Sequence, residues 1–229
     1  MTKEEIKDNF YKIKKELPCN VRLCAVSKFH TVDEIKTAIE TGQTLFGENH
    51  VQEACEKFTQ IYNDDSIASK IELHIIGKLQ SNKVKKAVEI ASCIQSVDSK
   101  KLLEKIENAA RNLNKNIDVY FELHTGEDSK SGFESKEELM ECVSLCAQGN
   151  YPHVSLKGLM TMAPFTDEEE KIRASFRELR KLKEEINDKY SSLAVTELSM
   201  GMSGDYKTAI EEGSTMVRIG TALFGQRVY

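Results

Sequence analysis

Apolar runs of four to eight residues alternate along the chain with stretches in which apolar positions recur every three or four residues. After a leading helix over 3–16, the first strand is expected at 21–27. Thr31 and Glu34 form a Thr-x-x-Glu capping box, opening a helix whose buried stripe is Ile35, Ala38 and Ile39. A short strand at 44–46 precedes a helix over about 51–62. The third strand, 72–76, leads to a helix with Val84, Ala87, Val88 and Ala91 on one face. The fourth, 93–97, leads to a helix buried through Leu102, Leu103, Ile106, Ala110 and Leu113. Strand five is 118–123, and its helix opens at a second box, Ser135 with Glu138. Strand six is 154–161. A third box, Thr166 with Glu169, starts a long helix striped by Ile172, Phe176, Leu179, Leu182 and Ile186. Strand seven at 195–199, a helix over about 203–212, strand eight at 215–220 and a short turn at 222–225 complete the pattern. Strict alternation implies a parallel sheet. Eight units predict an α/β fold, a closed (β/α)8 TIM barrel with an extra N-terminal helix. An open doubly wound sheet is the structural alternative. No repeat, low-complexity tract or Pro/Gly-rich linker divides the chain, so one domain is expected over 1–229.

Composition narrows the function. The 229 residues are 40% hydrophobic and 30% charged, with a net charge of −5, which gives no electrostatic reason to expect a nucleic-acid partner. No apolar stretch approaches the roughly 18 residues of a membrane span, and the polar N-terminus is no signal peptide. Six cysteines, at 19, 24, 55, 93, 142 and 146, form no CxxC pair. Cys142 and Cys146 share a helix face, but no His or second Cys pair stands nearby to complete a zinc site, and no metal centre is expected. The thiols read as reduced, in a cytoplasmic protein.

Barrel sites lie where strands end. Two loops stand out. Ser199-Met-Gly-Met-Ser-Gly204 follows strand seven, and Arg218-Ile-Gly-Thr221 follows strand eight. Loops after these two strands are the recurrent phosphate site of the fold, because glycines admit close approach of the backbone and free N–H groups favour an anion. Tight βα turns are the alternative use of the same glycines. Lys28 ends strand one on the face of Cys24 and Val26. At the inner mouth of a barrel a partly desolvated lysine is a nucleophile toward aldehydes; on an outer face it would be a snorkelling surface residue. Arg218 interrupts an apolar strand and needs a partner, either a strand carboxylate such as Glu122 or Glu197, or a ligand phosphate or ring nitrogen. Asn49 could bond a ligand hydroxyl or cap the next helix. His74, in mid-strand, reads as a satisfied core histidine.

These residues belong to longer motifs. They are Ala25-Val-Ser-Lys28, Phe46-Gly-Glu-Asn49 with Gln52-Glu53, His74 through Lys83, Ser129-Lys-Ser-Gly132, Gly158-Leu-Met160, Leu198 through Ser203, and Gly213 through Gly220. In order along the whole chain, they resemble the pyridoxal-phosphate homeostasis protein family, which is similar to the barrel domain of alanine racemase and other fold-type III proteins. Phe29-His-Thr31 stands where many members carry Thr-Lys-Pro-like residues. The resemblance implies pyridoxal 5'-phosphate (PLP) as cofactor. It further implies that Lys28 forms an imine with the aldehyde, that Ser199, Gly220 and Thr221 hold the phosphate, that Arg218 faces the pyridine nitrogen, and that Asn49 lies on the ring's hydroxyl side.

Three functions compete: a carrier that buffers PLP, a PLP enzyme such as an amino-acid racemase, and an aldolase using an imine lysine on a sugar phosphate. The sequence ends eight residues after Thr221, where racemases continue into a second domain, and a guanidinium beside the pyridine nitrogen makes a poorer electron sink. Position 160–162 at the end of strand six is Met-Thr-Met, without the lysine an aldolase would use. The expectation is therefore a carrier without catalytic residues or turnover, monomeric, which passes PLP to PLP-dependent apo-enzymes.

Overall fold

The computed structural model describes residues 1–126 and 131–226; Ser129 and Lys130 of the Ser-Lys-Ser-Gly motif, and Tyr229, lie outside the described residues. Helix α1 (Lys3–Glu16) starts at Thr2, whose hydroxyl accepts from the Glu5 amide while Glu5 returns to the Thr2 amide. Its buried stripe is Ile6, Phe10 and Ile13. Strand β1 (Arg22–Val26) leads to α2 (Val32–Glu40), and the predicted Thr31–Glu34 box closes in both directions. Strand β2 (Leu45–Glu48) and α3 (Val51–Tyr62) come next, then a one-turn helix α4 (Asp65–Ala68) capped by Asp64, which the hydrophobic pattern did not predict because it buries no residue. Strand β3 (Glu72–Ile75) runs through a 3-10 turn at Ser81–Lys83 into α5 (Val84–Ile90). Strand β4 (Cys93–Val97) is followed by α6 (Lys100–Asn112), β5 (Ile117–Glu122) by α7 (Lys136–Ala147), and β6 (Val154–Met160) by α8 (Glu169–Lys189). Strand β7 (Glu197–Ser199), α9 (Tyr206–Glu211), β8 (Met216–Ile219) and the single turn α10 (Thr221–Phe224) end the fold.

The eight parallel strands close in sequence order, β8 pairing back onto β1 with Cys24 opposite Arg218. This is the predicted (β/α)8 barrel. Alternation along each strand sorts the side chains into two layers. Cys24, Leu45, Cys93, Tyr120, Met160 and Met216 pack inside the barrel. Their neighbours, among them Phe46, Phe121, Leu159, Leu198 and Ile219, join the larger cluster between strands and helices. Polar residues at inward positions therefore stand out: Gln95 in β4, Glu122 in β5, Ser199 in β7 and Arg218 in β8 are all buried.

One predicted helix start and one predicted capping box differ from the structure. Ser135 caps α7 by accepting from the Glu138 amide at 3.1 Å, without the return bond of a box. Thr166 does not open α8. Its hydroxyl accepts from the Glu168 amide two residues on, a local turn that competes with the cap, and the helix begins at Glu169. No helix among the described residues is long and apolar enough to cross a membrane.

Candidate functional site at the C-terminal mouth

Lys28 is half-buried and follows β1 on the parity of Cys24, which lies inside the barrel. Its chain neighbours are held from the opposite side. The Ser27 hydroxyl donates to Glu48 Oε1 at 2.6 Å, and Lys57 Nζ from α3 contacts the same Glu48 oxygen at 2.6 Å and the Ser27 carbonyl at 2.8 Å. Lys57 also pairs with Glu53 at 2.9 Å, and Glu53 accepts the backbone N–H of Phe29. Phe29 sits at φ +66, a left-handed conformation that a bulky residue adopts only when surroundings impose it. Residues on both sides of Lys28 are thus pinned by one buried ion cluster. Burial pushes the Glu48 carboxyl above its ordinary range, against the opposing pull of Lys57.

Arg218 is buried, and burial lowers its pKa. Neither predicted carboxylate pairs with it: Glu122 and Glu197 form no salt bridge to it, and the described residues place no carboxylate at ion-pairing distance. Instead Nη1 donates to the Ser199 carbonyl at 2.6 Å and the Ser199 hydroxyl at 2.8 Å, while Nη2 donates to the Thr161 carbonyl at 2.9 Å. A guanidinium has five N–H donors. Two of them keep no acceptor among the described residues.

Glu122 ends β5, two positions beyond the inward Tyr120. Ser131 donates to its Oε1 at 2.8 Å, and its Oε2 is buried without a partner among the described residues. Burial raises its pKa to about 7, although Ser131 and Arg218 pull the other way. The other orphaned buried side-chain atoms among the described residues, Glu48 Oε2 and His124 Nδ1, also lie at C-terminal strand ends.

The predicted phosphate residues separate into two kinds. Thr221 is exposed and Gly220 half-buried, at the tip after β8. Ser199 faces inward: its hydroxyl donates to Gln95 Oε1 at 2.6 Å while accepting from Arg218. A phosphate bond from Ser199 Oγ would require its hydrogen to leave Gln95. The intervening loop needs Gly201, at φ +97, where a Cβ would lie 2.6 Å from Ala209 Cβ. Asn49 is half-buried and lines a cavity of about 460 Å³ with Leu79, Gln80 and Lys83. It does not cap α3, whose N-cap is His50 without a side-chain bond. Gly77 passes so close to Asn49 that a Cβ there would fall 2.6 Å from its carbonyl oxygen.

The barrel therefore brings Lys28, after β1, and Arg218, Gly220 and Thr221, in and after the adjacent β8, to one end, with Asn49 just after β2. Sequence reading missed Gln95, Lys57 and the orphaned carboxyl of Glu122. The available signal was a polar residue at an inward position of an otherwise apolar strand, as in Cys93-Ile-Gln-Ser-Val97. His74 is the satisfied core histidine expected, with Nδ1 2.7 Å from Gln95 Nε2 and a pKa lowered by burial. Among the described residues no group of three or more His, Cys, Asp or Glu could hold a metal ion.

The chain belongs to the alanine racemase N-terminal domain family, whose model matches residues 2–228. Within that class the similarity is to a narrower group. The pyridoxal phosphate homeostasis protein of Pasteurella multocida (strain Pm70) is 40% identical over 211 residues, covering 91% of this chain and 88% of that protein. That of Aquifex aeolicus (strain VF5) is 38% identical over 208 residues, with the same coverage. PipY of Synechococcus elongatus PCC7942, solved with PLP bound, superposes with a TM-score of 0.88 at 35% identity, over 96% of this chain and all of that one. The chain belongs to the pyridoxal phosphate homeostasis protein family. Alanine racemase of Clostridium difficile 630, at 16% identity and a TM-score of 0.79, shares the fold over 57% of its own length.

Proposed function

We propose that this chain binds PLP at the mouth of its barrel, covalently through Lys28, and acts as a carrier that buffers the cofactor in intracellular PLP homeostasis. When bound, PLP supplies an electrophilic aldehyde that condenses with a primary amine with loss of water. The observation that carries the reading is the convergence, at one end of the barrel, of a lysine that follows β1 and a buried arginine in the adjacent strand β8. Lys28 is presented by a pinned turn, and among the described residues Arg218 keeps two donors without acceptors. An aldehyde, a ring acceptor and a phosphate in one small molecule match an amine, a guanidinium and a glycine loop.

Lys28 Nζ makes the covalent bond. Gly220 and Thr221 take the phosphate, with Ser199 at the base of the same loops. Arg218 offers its spare donors to the pyridine nitrogen, and as a permanent cation it keeps that nitrogen unprotonated. Asn49 lies on the hydroxyl side. The relatives' shared name and the PLP bound in PipY support this assignment. The carrier works in the cytoplasm as a monomer of one barrel domain over 1–229, gives PLP up to PLP-dependent apo-enzymes, and turns over no amino acid. Six free thiols are consistent with that compartment.

Borohydride reduction of PLP-loaded protein, followed by peptide mass mapping, is expected to place the pyridoxyl group on Lys28. In parallel, loaded protein incubated with amino acids in deuterated water is expected to accumulate no racemised or decarboxylated product. Label on a different lysine overturns the site, and multi-turnover product overturns the carrier.

A further inference from the structure

Gln95 lies in mid-β4, fully buried inside the barrel, at a position where an apolar side chain would cost no desolvation. It makes three contacts, all with buried groups. Its Oε1 accepts from the Ser199 hydroxyl at 2.6 Å, and its Nε2 lies 2.7 Å from His74 Nδ1 and 3.2 Å from Met216 Sδ. Arg218 Nη1 donates to that same Ser199 hydroxyl at 2.8 Å.

The donor count gives this chain one direction. A guanidinium cannot accept, so Ser199 must accept from Arg218 and send its single hydrogen elsewhere. Gln95 Oε1 is the acceptor it meets. The amide oxygen is then committed to Ser199, and the NH2 group turns to His74 Nδ1 and Met216 Sδ, both of which accept. The reverse amide would leave the Ser199 hydrogen facing a donor. His74 therefore carries its hydrogen on Nε2, on the side of Glu72, whose Oε2 is 3.7 Å away and is bonded by Arg22 at 2.6 Å. Of the three acceptors that hold Arg218, two are backbone carbonyls fixed by the strands. Only the Ser199 hydroxyl can rotate, and Gln95 is what stops it.

We propose that Gln95 is a positioning residue for Arg218: acting through the Ser199 hydroxyl, it fixes the guanidinium that faces the cofactor ring. The proposal rests on the reading that PLP binds at the mouth, and it adds a residue that never touches the ligand. The orientation of Arg218 is thereby tied to the barrel interior rather than to a carboxylate. A neutral partner leaves the full positive charge of Arg218 directed at the ring.

The test compares wild type, Gln95→Met, which preserves volume next to Met216, and Ser199→Ala, with their double variant. In ligand-free protein, the side-chain ¹⁵N–¹H signals of Arg218 are expected to exchange faster with solvent in each variant than in wild type. With PLP added, both single variants are expected to bind about tenfold more weakly and to shift the visible absorption band of the bound cofactor. The double variant is expected to be no worse than either single one, because one chain has been cut twice. Should Gln95→Met fail to fold, Ser199→Ala still reports on the same link. Wild-type exchange, affinity and band position in either single variant, or additive losses in the double, overturn the proposal. If wild type fails to bind PLP while Gln95→Met still loosens Arg218, the positioning stands and the cofactor assignment falls.

Discussion

Two inward carboxylates, one near each end of the same barrel, live in opposite conditions. Glu72, at the N-terminal rim, lies beside His74 and within 2.6 Å of Arg22, and its pKa is lowered to about 2. His74 stands 3.7 Å away, too far for a full hydrogen bond, so Arg22 is the firmer hold. Glu122, at the C-terminal mouth, accepts one hydroxyl, keeps one oxygen without a partner among the described residues, and is raised to about 7 by burial. Around Glu72 the rim encloses a cavity of about 150 Å³ where opposite charges meet: Arg22, Lys157, Asp118 and Glu197 line it together with His74. Glu197 there accepts from the Thr215 hydroxyl at 2.8 Å. At the rim Glu72 is neutralised by Arg22, whereas burial raises the pKa of its neighbour Asp118. At the mouth, among the described residues, buried polar atoms of Glu48, Glu122 and His124 lack partners, a condition that fits the proposed ligand site.

The strongest way to break this comparison is to remove the amine proposed to bind PLP. Lys28→Ala is expected to abolish all borohydride-trapped adduct while the protein still folds, with a melting temperature within about 4 °C of wild type. PLP should still associate, weakly and reversibly, with the spectrum of the free aldehyde. Collapse of folding in differential scanning calorimetry would make Lys28 a structural residue like those of the rim. A smaller effect is expected from changing the ligand. Pyridoxal, which lacks the phosphate, should bind at least about tenfold more weakly than PLP by equilibrium titration, because several charge-assisted hydrogen bonds are lost. Equal affinities would mean that Gly220 and Thr221 serve only to turn the chain.

How much of this was legible without coordinates follows from what each feature depends on. Lys28, Arg218 and the last two loops could be placed because strand parity and strand count are local properties of the pattern. Helix α1 and strand β4 match their predicted bounds because strong periodicity coincides with clear stops. The Thr166 box failed because its spacing permits two local hydrogen-bonded turns, and sequence alone does not rank them. Arg218 illustrates the deeper limit. Its need for a partner was evident, but the carbonyls of Thr161, just after β6, and of Ser199 in β7 supply that need, and only closure of the barrel brings them near. Gln95 is the same case: its partners lie 21, 104 and 121 residues away in the chain.

The last prediction sets the two carboxylates against each other through pH. The unfolded chain titrates Glu122 near its ordinary 4.5, the folded protein near 7. Between those values the folded state binds more proton than the unfolded state, so the contribution of this group to stability falls as pH rises, and the full cost is present above about 7. Glu122→Gln has no such proton to lose. It is expected to track wild type below about pH 4.5 and to gain on it toward pH 8, by about 1–3 kcal/mol. Glu72 runs the other way. Its folded pKa lies below its unfolded one, so the wild-type advantage over Glu72→Gln is complete above about 4.5 and vanishes as pH falls through about 2. The Glu72 side chain is 45% exposed, and solvent screening keeps that advantage under about 1 kcal/mol. Urea unfolding of wild type and both variants at about pH 4.5, 6 and 8 measures the difference directly. Glu122→Gln should diverge upward from wild type with rising pH, while Glu72→Gln stays at a small constant deficit across that range. If the Glu122→Gln curve stays parallel to wild type, Glu122 is an ordinary ionised carboxylate, and the mouth handles its charges no differently from the rim.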